Sequence, residues 1–100
     1  MSGNSQANGV VQGTVNQIIQ RASDGLTYVV INGTPSGSRP SCATDVIYWV
    51  IANENSEPGK KQFAMLIAAY ASRTIVQIKG MNTCTRWANI EDINEVLLLD

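Results

Sequence analysis

Residues 1–9, MSGNSQANG, contain no large apolar side chain after Met1, and alternation begins after them. Val11, Val15 and Ile19 fall on one face with Gly13 between the first two, while Gln12, Thr14, Asn16 and Gln20 fall on the other. A period of two predicts a half-buried strand, and a glycine inside it predicts a bulge or tight bend. Ser23-Asp24-Gly25 is a turn signal, and residues 26–31 (LTYVVI) read as a second strand, making the first two a hairpin. Residues 32–45 concentrate Pro, Gly, Ser and Thr and predict a long loop. A glycosylation sequon inside it, Asn32-Gly33-Thr34, is read as coincidental. Residues 46–51 (VIYWVI) are apolar on both faces, which places a third strand centrally or against an interface.

A helix is signalled next. Ser56 suits the N-cap, Glu57 suits the positive end of the helix dipole, and Pro58 is tolerated in the first turn. Phe63, Leu66, Ile67 and Tyr70 recur at i, i+3, i+4 and i+7 and predict the core face of a helix over 58–72. Much of the remaining surface is small: Ala64, Ala68 and Ala71. Residues 73–79 read as a fourth strand with Thr74, Val76 and Ile78 inward, 80–89 as a second loop, and 93–99 as the last strand. The order β-β-β-α-β-β is that of a small five-stranded Greek-key barrel of the OB type. It predicts a single domain over 10–100 behind a loose tail at 1–9.

Charge narrows the functional classes. Lys+Arg 7 against Asp+Glu 8 leaves a formal net charge of −1. Nucleic-acid binding needs clustered cations, and only Lys60-Lys61 are adjacent, at a predicted solvated helix start. There is no histidine, so neither a Ser-His-Asp set nor an imidazole-activated thiol can form. No Gly-rich phosphate loop is present. The expectation is a protein that is not an enzyme and carries no metal or other cofactor. Cys42 and Cys84 are too few for a zinc site, which takes four ligands. A single disulfide is the simplest reading, with two buried free thiols as the alternative. A bridge implies an oxidising compartment, favouring a secreted or periplasmic protein over a cytoplasmic one. No apolar run of about 20 residues suggests membrane insertion.

Aromatic residues are the stronger lead. Tyr48 and Trp49 face opposite sides of one strand, so one belongs in the core and the other meets a loop, a partner or a ligand. Trp87 stands out because it lies in a polar loop close to Cys84. Its amphipathic ring, with Arg86, Asn89, Glu91 and Asp92 nearby, suits recognition of a sugar or protein. The competing expectation is that Trp87 folds back to plug one end of the barrel. As a catalytic carboxylate pair, which needs a defined separation across a cleft, Glu91 and Asp92 read instead as ordinary solvated loop charges.

Residues 62–78, QFAMLIAAYASRTIVQI, resemble a family of small exported bacterial proteins in which an Ala-rich helix ends in a small-residue turn and feeds directly into a strand. The stretch 80–98, with Thr83-Cys84 and then Asn94-Glu95-Val96, continues the likeness. The same passage resembles the B subunits of AB5 toxins of the subtilase-cytotoxin type, through Tyr70-Ala71-Ser72 followed by Val76-Gln77-Ile78. The resemblance implies an OB fold, a ring-shaped homopentamer with helices lining a central pore, and binding to cell-surface glycans. Ala64, Ala68 and Ala71 would suit helices meeting at such a pore. The aromatic, serine-rich segment those toxins use for sialic acid has no counterpart near the first strand, so no glycan-binding residue carries over. Ile47, Trp49 and Ile51 of the apolar third strand are the further candidates for the contact between copies, where an open barrel leaves edges to be paired.

Overall fold

The computed structural model describes residues 8–99 and is mainly β with one helix. In chain order the elements are β1 (Gly9–Gly13), β2 (Val15–Gln20), β3 (Thr27–Ile31), β4 (Ser36–Gly37), β5 (Tyr48–Val50), α1 (Glu57–Ser72), β6 (Ile75–Gly80) and β7 (Glu91–Leu99). The strands form one open mixed sheet in the order β2-β3-β5-β7-β6-β1-β4. Every pairing is antiparallel except β5 with β7, where Trp49 sits opposite Glu91 and Val50 opposite Asp92. The expected tail at 1–9 lies outside the described residues as far as 7, and Gly9 already belongs to β1.

The first predicted strand is two. After Gly13 the chain breaks at Thr14, and close approach explains the glycine, since a Cβ there would overlap the Asn32 carbonyl. A second irregularity follows: Val15 pairs with Ile31, but Gln17 pairs with Val30. One extra residue reverses which side chains face inward. Ile18 therefore packs against the core and Ile19 turns outward, correcting the alternation that put Val11, Val15 and Ile19 on one face. The hairpin of β2 and β3 closes through the Ser23-Asp24-Gly25 turn, with Asp24 accepting from the Leu26 N–H at 3.1 Å.

The main core joins Val11, Val15, Val29, Ile31, Trp49, Ile51, Val76, Ile78, Ile93 and Val96 of the sheet to Leu66 and Ala69 of the helix. Trp49 and Ile51 are 0% exposed, and β5 lies between β3 and β7. They are not an interface, which corrects that expectation; of the three residues named only Ile47 is exposed, at 51%. A strand apolar on both faces is explained here by two cores. Tyr48 and Val50 face a smaller cluster, with Leu26 and Ile90, on the opposite side of the sheet.

Ser56 caps α1 as the sequence predicts, its Oγ accepting from the Gly59 N–H at 3.1 Å. The buried face of α1 is a different stripe from the one predicted. Gly59, Leu66 and Ala69 face inward, while Phe63, Ile67 and Tyr70 are 36%, 43% and 46% exposed. Hydrophobic periodicity weights bulk, whereas close docking selected the small residues: a Cβ on Gly59 would overlap the Asn53 carbonyl. Arg73 ends the helix in the left-handed conformation, φ 60°, and its N–H donates to the Ala69 carbonyl.

Cys42 and Cys84 are joined in a disulfide with Cα atoms 6.2 Å apart. It ties the loop after β4 to the loop before β7. Replacing both cysteines with serine should lower the unfolding free energy by about 4 kcal/mol, the chain-entropy value for a loop of this length. Urea unfolding of the oxidised wild type against the double variant measures it; equal midpoints would show that the bridge adds nothing.

Candidate functional site

Tyr28 of β3, Tyr48 of β5 and Trp87 of the loop before β7 converge over the smaller cluster of Leu26, Val50 and Ile90. The Tyr28 and Trp87 ring centroids are 4.9 Å apart at 79°, and those of Tyr28 and Tyr48 are 5.4 Å apart at 77°. Edge-to-face packing of this kind suits the ring quadrupoles. Tyr48 and Trp87 lie nearly parallel, 24° between planes and 6.5 Å between centroids. All three rings are half-buried. Trp87 thus covers the small core, as a plug would, and still presents part of its ring outward. The Arg21 guanidinium lies 4.8 Å from the Trp87 ring centroid.

Three local devices position Trp87. The chain turns tightly between Trp87 and Ile90, with the Ile90 N–H donating to the Trp87 carbonyl at 3.1 Å. Arg86, one residue earlier, reaches Glu54 at 3.0 Å and the Asp24 carbonyl at 3.0 Å. The third is Asp92. Its carboxylate accepts from the Thr83 hydroxyl at 2.6 Å, the Thr85 N–H at 2.9 Å, the Thr85 hydroxyl at 2.7 Å and the Arg86 N–H at 3.2 Å. Burial alone would push this carboxyl up, but the four hydrogen bonds outweigh burial and hold it below the usual carboxylate value.

Glu91 performs the matching task on the other side of β7. Its carboxylate takes the Arg39 Nε at 2.6 Å, the Asn82 N–H at 2.9 Å and the Gly9 N–H at 3.2 Å. Arg39 also lies 4.1 Å from the Trp49 ring centroid and donates to the Val46 carbonyl at 3.0 Å. Glu91 and Asp92 are both 0% exposed, because β7 begins two residues earlier than its apolar run predicts. They are not solvated loop charges, nor are they available to a ligand, so both are removed from the candidate site.

The five residues singled out from the sequence therefore divide. Trp87 and Arg86 remain at the surface patch, Asn89 is exposed two residues further along the chain with its carbonyl accepting from the Asp45 N–H, and Glu91 and Asp92 are internal. Sequence reasoning named Tyr48 as one of two strand aromatics but not as a neighbour of Trp87, and it passed over Tyr28 and Arg21. Their shared face was readable from alternation within each strand; that β3 and β5 are neighbours was not. Electrostatically the patch is balanced. Arg21 pairs with Asp24 at 2.7 Å and Arg86 with Glu54. The Arg21 bond, with the Leu26 N–H, keeps the Asp24 carboxyl below its usual range. Among the described residues no three metal-binding side chains converge.

Two variants test this framework. A methyl group on Gly80 would overlap the Glu91 carboxylate, so Gly80→Ala should cost about 1–3 kcal/mol in urea unfolding; an unchanged midpoint would mean the carboxylate has room to move. Asp92, with its folded-state value lowered, adds stability that is complete above the unfolded value of about 4 and is lost as pH falls through the folded one. The stability gap between wild type and Asp92→Asn should thus be widest near neutral pH and narrow in acid; a gap independent of pH would contradict it. The chain matches no protein-family model, no curated protein and no solved structure.

Proposed function

We propose that this chain is a non-catalytic binding module that assembles with copies of itself into a ring and binds a cell-surface glycan through the patch of Tyr28, Tyr48 and Trp87. The observation that carries the reading is that patch: three half-buried rings braced on a private cluster, with polar groups of Asp24, Arg86 and Asn89 around them. Sugars present C–H faces that lie flat on aromatic surfaces and hydroxyls that seek flanking polar groups. Rings already fixed in place avoid the entropy cost of ordering them on binding. A single-stranded nucleic acid would ask for rings in a cationic groove. Here both arginines beside the rings are neutralised by carboxylates, which favours a ligand without strong negative charge.

An OB-like barrel underlies the proposal. β2 stands at one end of the strand order and β1 next to the other end, yet they are separated in the chain only by Thr14, which supports a sheet bent around its core. Ring assembly draws on α1, where Ala64, Ala68 and Ala71 are exposed along one stripe. Small side chains let helices of neighbouring copies approach closely, and a head-to-tail contact that closes gives a ring. The pentamer is the ring size the toxin-like resemblance suggests. The disulfide is consistent with a secreted or periplasmic setting, and no helix among the described residues is long and apolar enough to cross a membrane.

Light scattering and a glycan array on the oxidised protein test both halves. The expected result is a defined multiple of the chain mass and glycan hits that weaken by about tenfold or more in Trp87→Ala, the scale of one interface aromatic. Arg21→Ala, at an exposed side chain that leaves the small core intact, should change the same hits if Trp87→Ala fails to fold. A monomer would overturn the ring. A blank array from a well-formed ring would overturn glycan binding and leave an assembly protein.

A further inference from the structure

β2 is an edge strand, and its free edge borders a groove of about 440 Å³ whose other wall is Phe63, Ile67 and Tyr70 of α1. The strand's own wall places two apolar side chains, Ile18 and Ile19, among the amides of Asn16, Gln17 and Gln20. Its backbone is open to a partner. Thr27, opposite Gln20 in the ladder, directs its N–H to Glu54 and its carbonyl to the Ile51 N–H, away from β2. In an antiparallel pair the bonded positions alternate, so the N–H and C=O of Gln20, and two residues back those of Ile18, point to the free edge. The three exposed apolar side chains of α1 thus stand beside unpaired main-chain groups, the combination that accepts an added strand.

Charge distinguishes the ends of the groove. It continues past Gln20 and Phe63 into a second hollow bordered by Lys60 and Glu54. Both oxygens of Glu54 are engaged, one by Arg86 and one by the Thr27 N–H. Lys60 is exposed and makes no ion pair among the described residues. A segment lying along β2 therefore meets apolar surface over most of its length and an uncompensated cation at the Gln20 end.

We propose that this groove binds an extended peptide segment of a protein partner, added as a strand to the free edge of β2, with alternate apolar side chains against Phe63, Ile67 and Tyr70 and an acidic residue beside Lys60. The site is separate from the aromatic patch and does not rest on the glycan reading. It is also separate from the small stripe of Ala64, Ala68 and Ala71, which lies about 100° around the helix by residue spacing.

A random dodecapeptide phage library, panned against the whole oxidised chain, supplies the probe. Selected peptides should alternate apolar and polar residues with a carboxylate near one end. Their synthetic copies should lose about tenfold or more in affinity for Ile67→Glu, and an N-methyl group on a central amide should abolish binding. Lys60→Glu should shift the preference toward peptides with a basic end. Peptides that bind Ile67→Glu as well as wild type, or a panning that yields none, would overturn the proposal. So would a change in the native mass of the unliganded chain on Ile67→Glu, since the groove would then be filled by a second copy. Glycan hits that survive Ile67→Glu would separate this result from the fate of the aromatic patch.

Discussion

Two adjacent buried carboxylates organise this protein. Glu91 and Asp92 open β7 and alternate to opposite sides of the sheet; Glu91 gathers donors from segments far apart in sequence, and Asp92 gathers backbone and side-chain donors from the loop just before it. A buried carboxylate is costly unless its lone pairs are filled, so each one dictates the positions of its donors. Glu91 draws in the start of β1, the loop carrying Arg39 and the turn at Asn82. Asp92 fixes residues 83–86. With the Cys42–Cys84 bridge nearby, the two long loops are tied at several points although only short strand segments run within them.

The aromatic patch depends on that constraint. Trp87 follows immediately after the segment that Asp92 holds, and its ring closes over Leu26, Val50 and Ile90. Without the Asp92 bonds the indole would be held only by the Arg86 contacts, the turn to Ile90 and the Cys84 bridge. An aromatic surface patch in so small a protein needs this kind of bracing, since the main core lies on the other face of the sheet and gives the loop no direct support.

The helix shows a related division of labour. Its inward stripe sets Gly59 against the Asn53 carbonyl and Leu66 and Ala69 in the main core, and its larger apolar residues are displaced to the flank beside β2. The bulge near Asn16 sets the facing of the strand that borders this groove, turning Ile18 inward against the core and Ile19 to the opposite face, across from Tyr28. A one-residue irregularity in a strand and a rotation of a helix together place exposed apolar surface next to an unpaired sheet edge.

Much of the architecture was legible in the residues. Alternation located the strands, Ser56 and the residues after it located the helix start, the Gly-Pro-Ser stretch located the long loop, and two cysteines without histidine pointed to a disulfide. These are local properties, set by backbone period, turn chemistry and thiol pairing. Other features depended on spatial neighbours. Periodicity could not tell whether Phe63, Ile67 and Tyr70 or the smaller residues would face the sheet, because Leu66 belongs to both stripes and only close approach favours glycine and alanine. Nor could it show that Glu91 and Asp92 are internal, since charge alone argues for solvent until donors such as Arg39, Thr83 and Asn82 are brought within hydrogen-bond reach. The sequence by itself determined most of the elements and their order, although it read β1 and β2 as one strand and the two-residue β4 as part of a loop. The tertiary structure decided which faces they bury, and it did so because burial of a charge or a small side chain is favourable only when particular partners, distant in the chain, meet it.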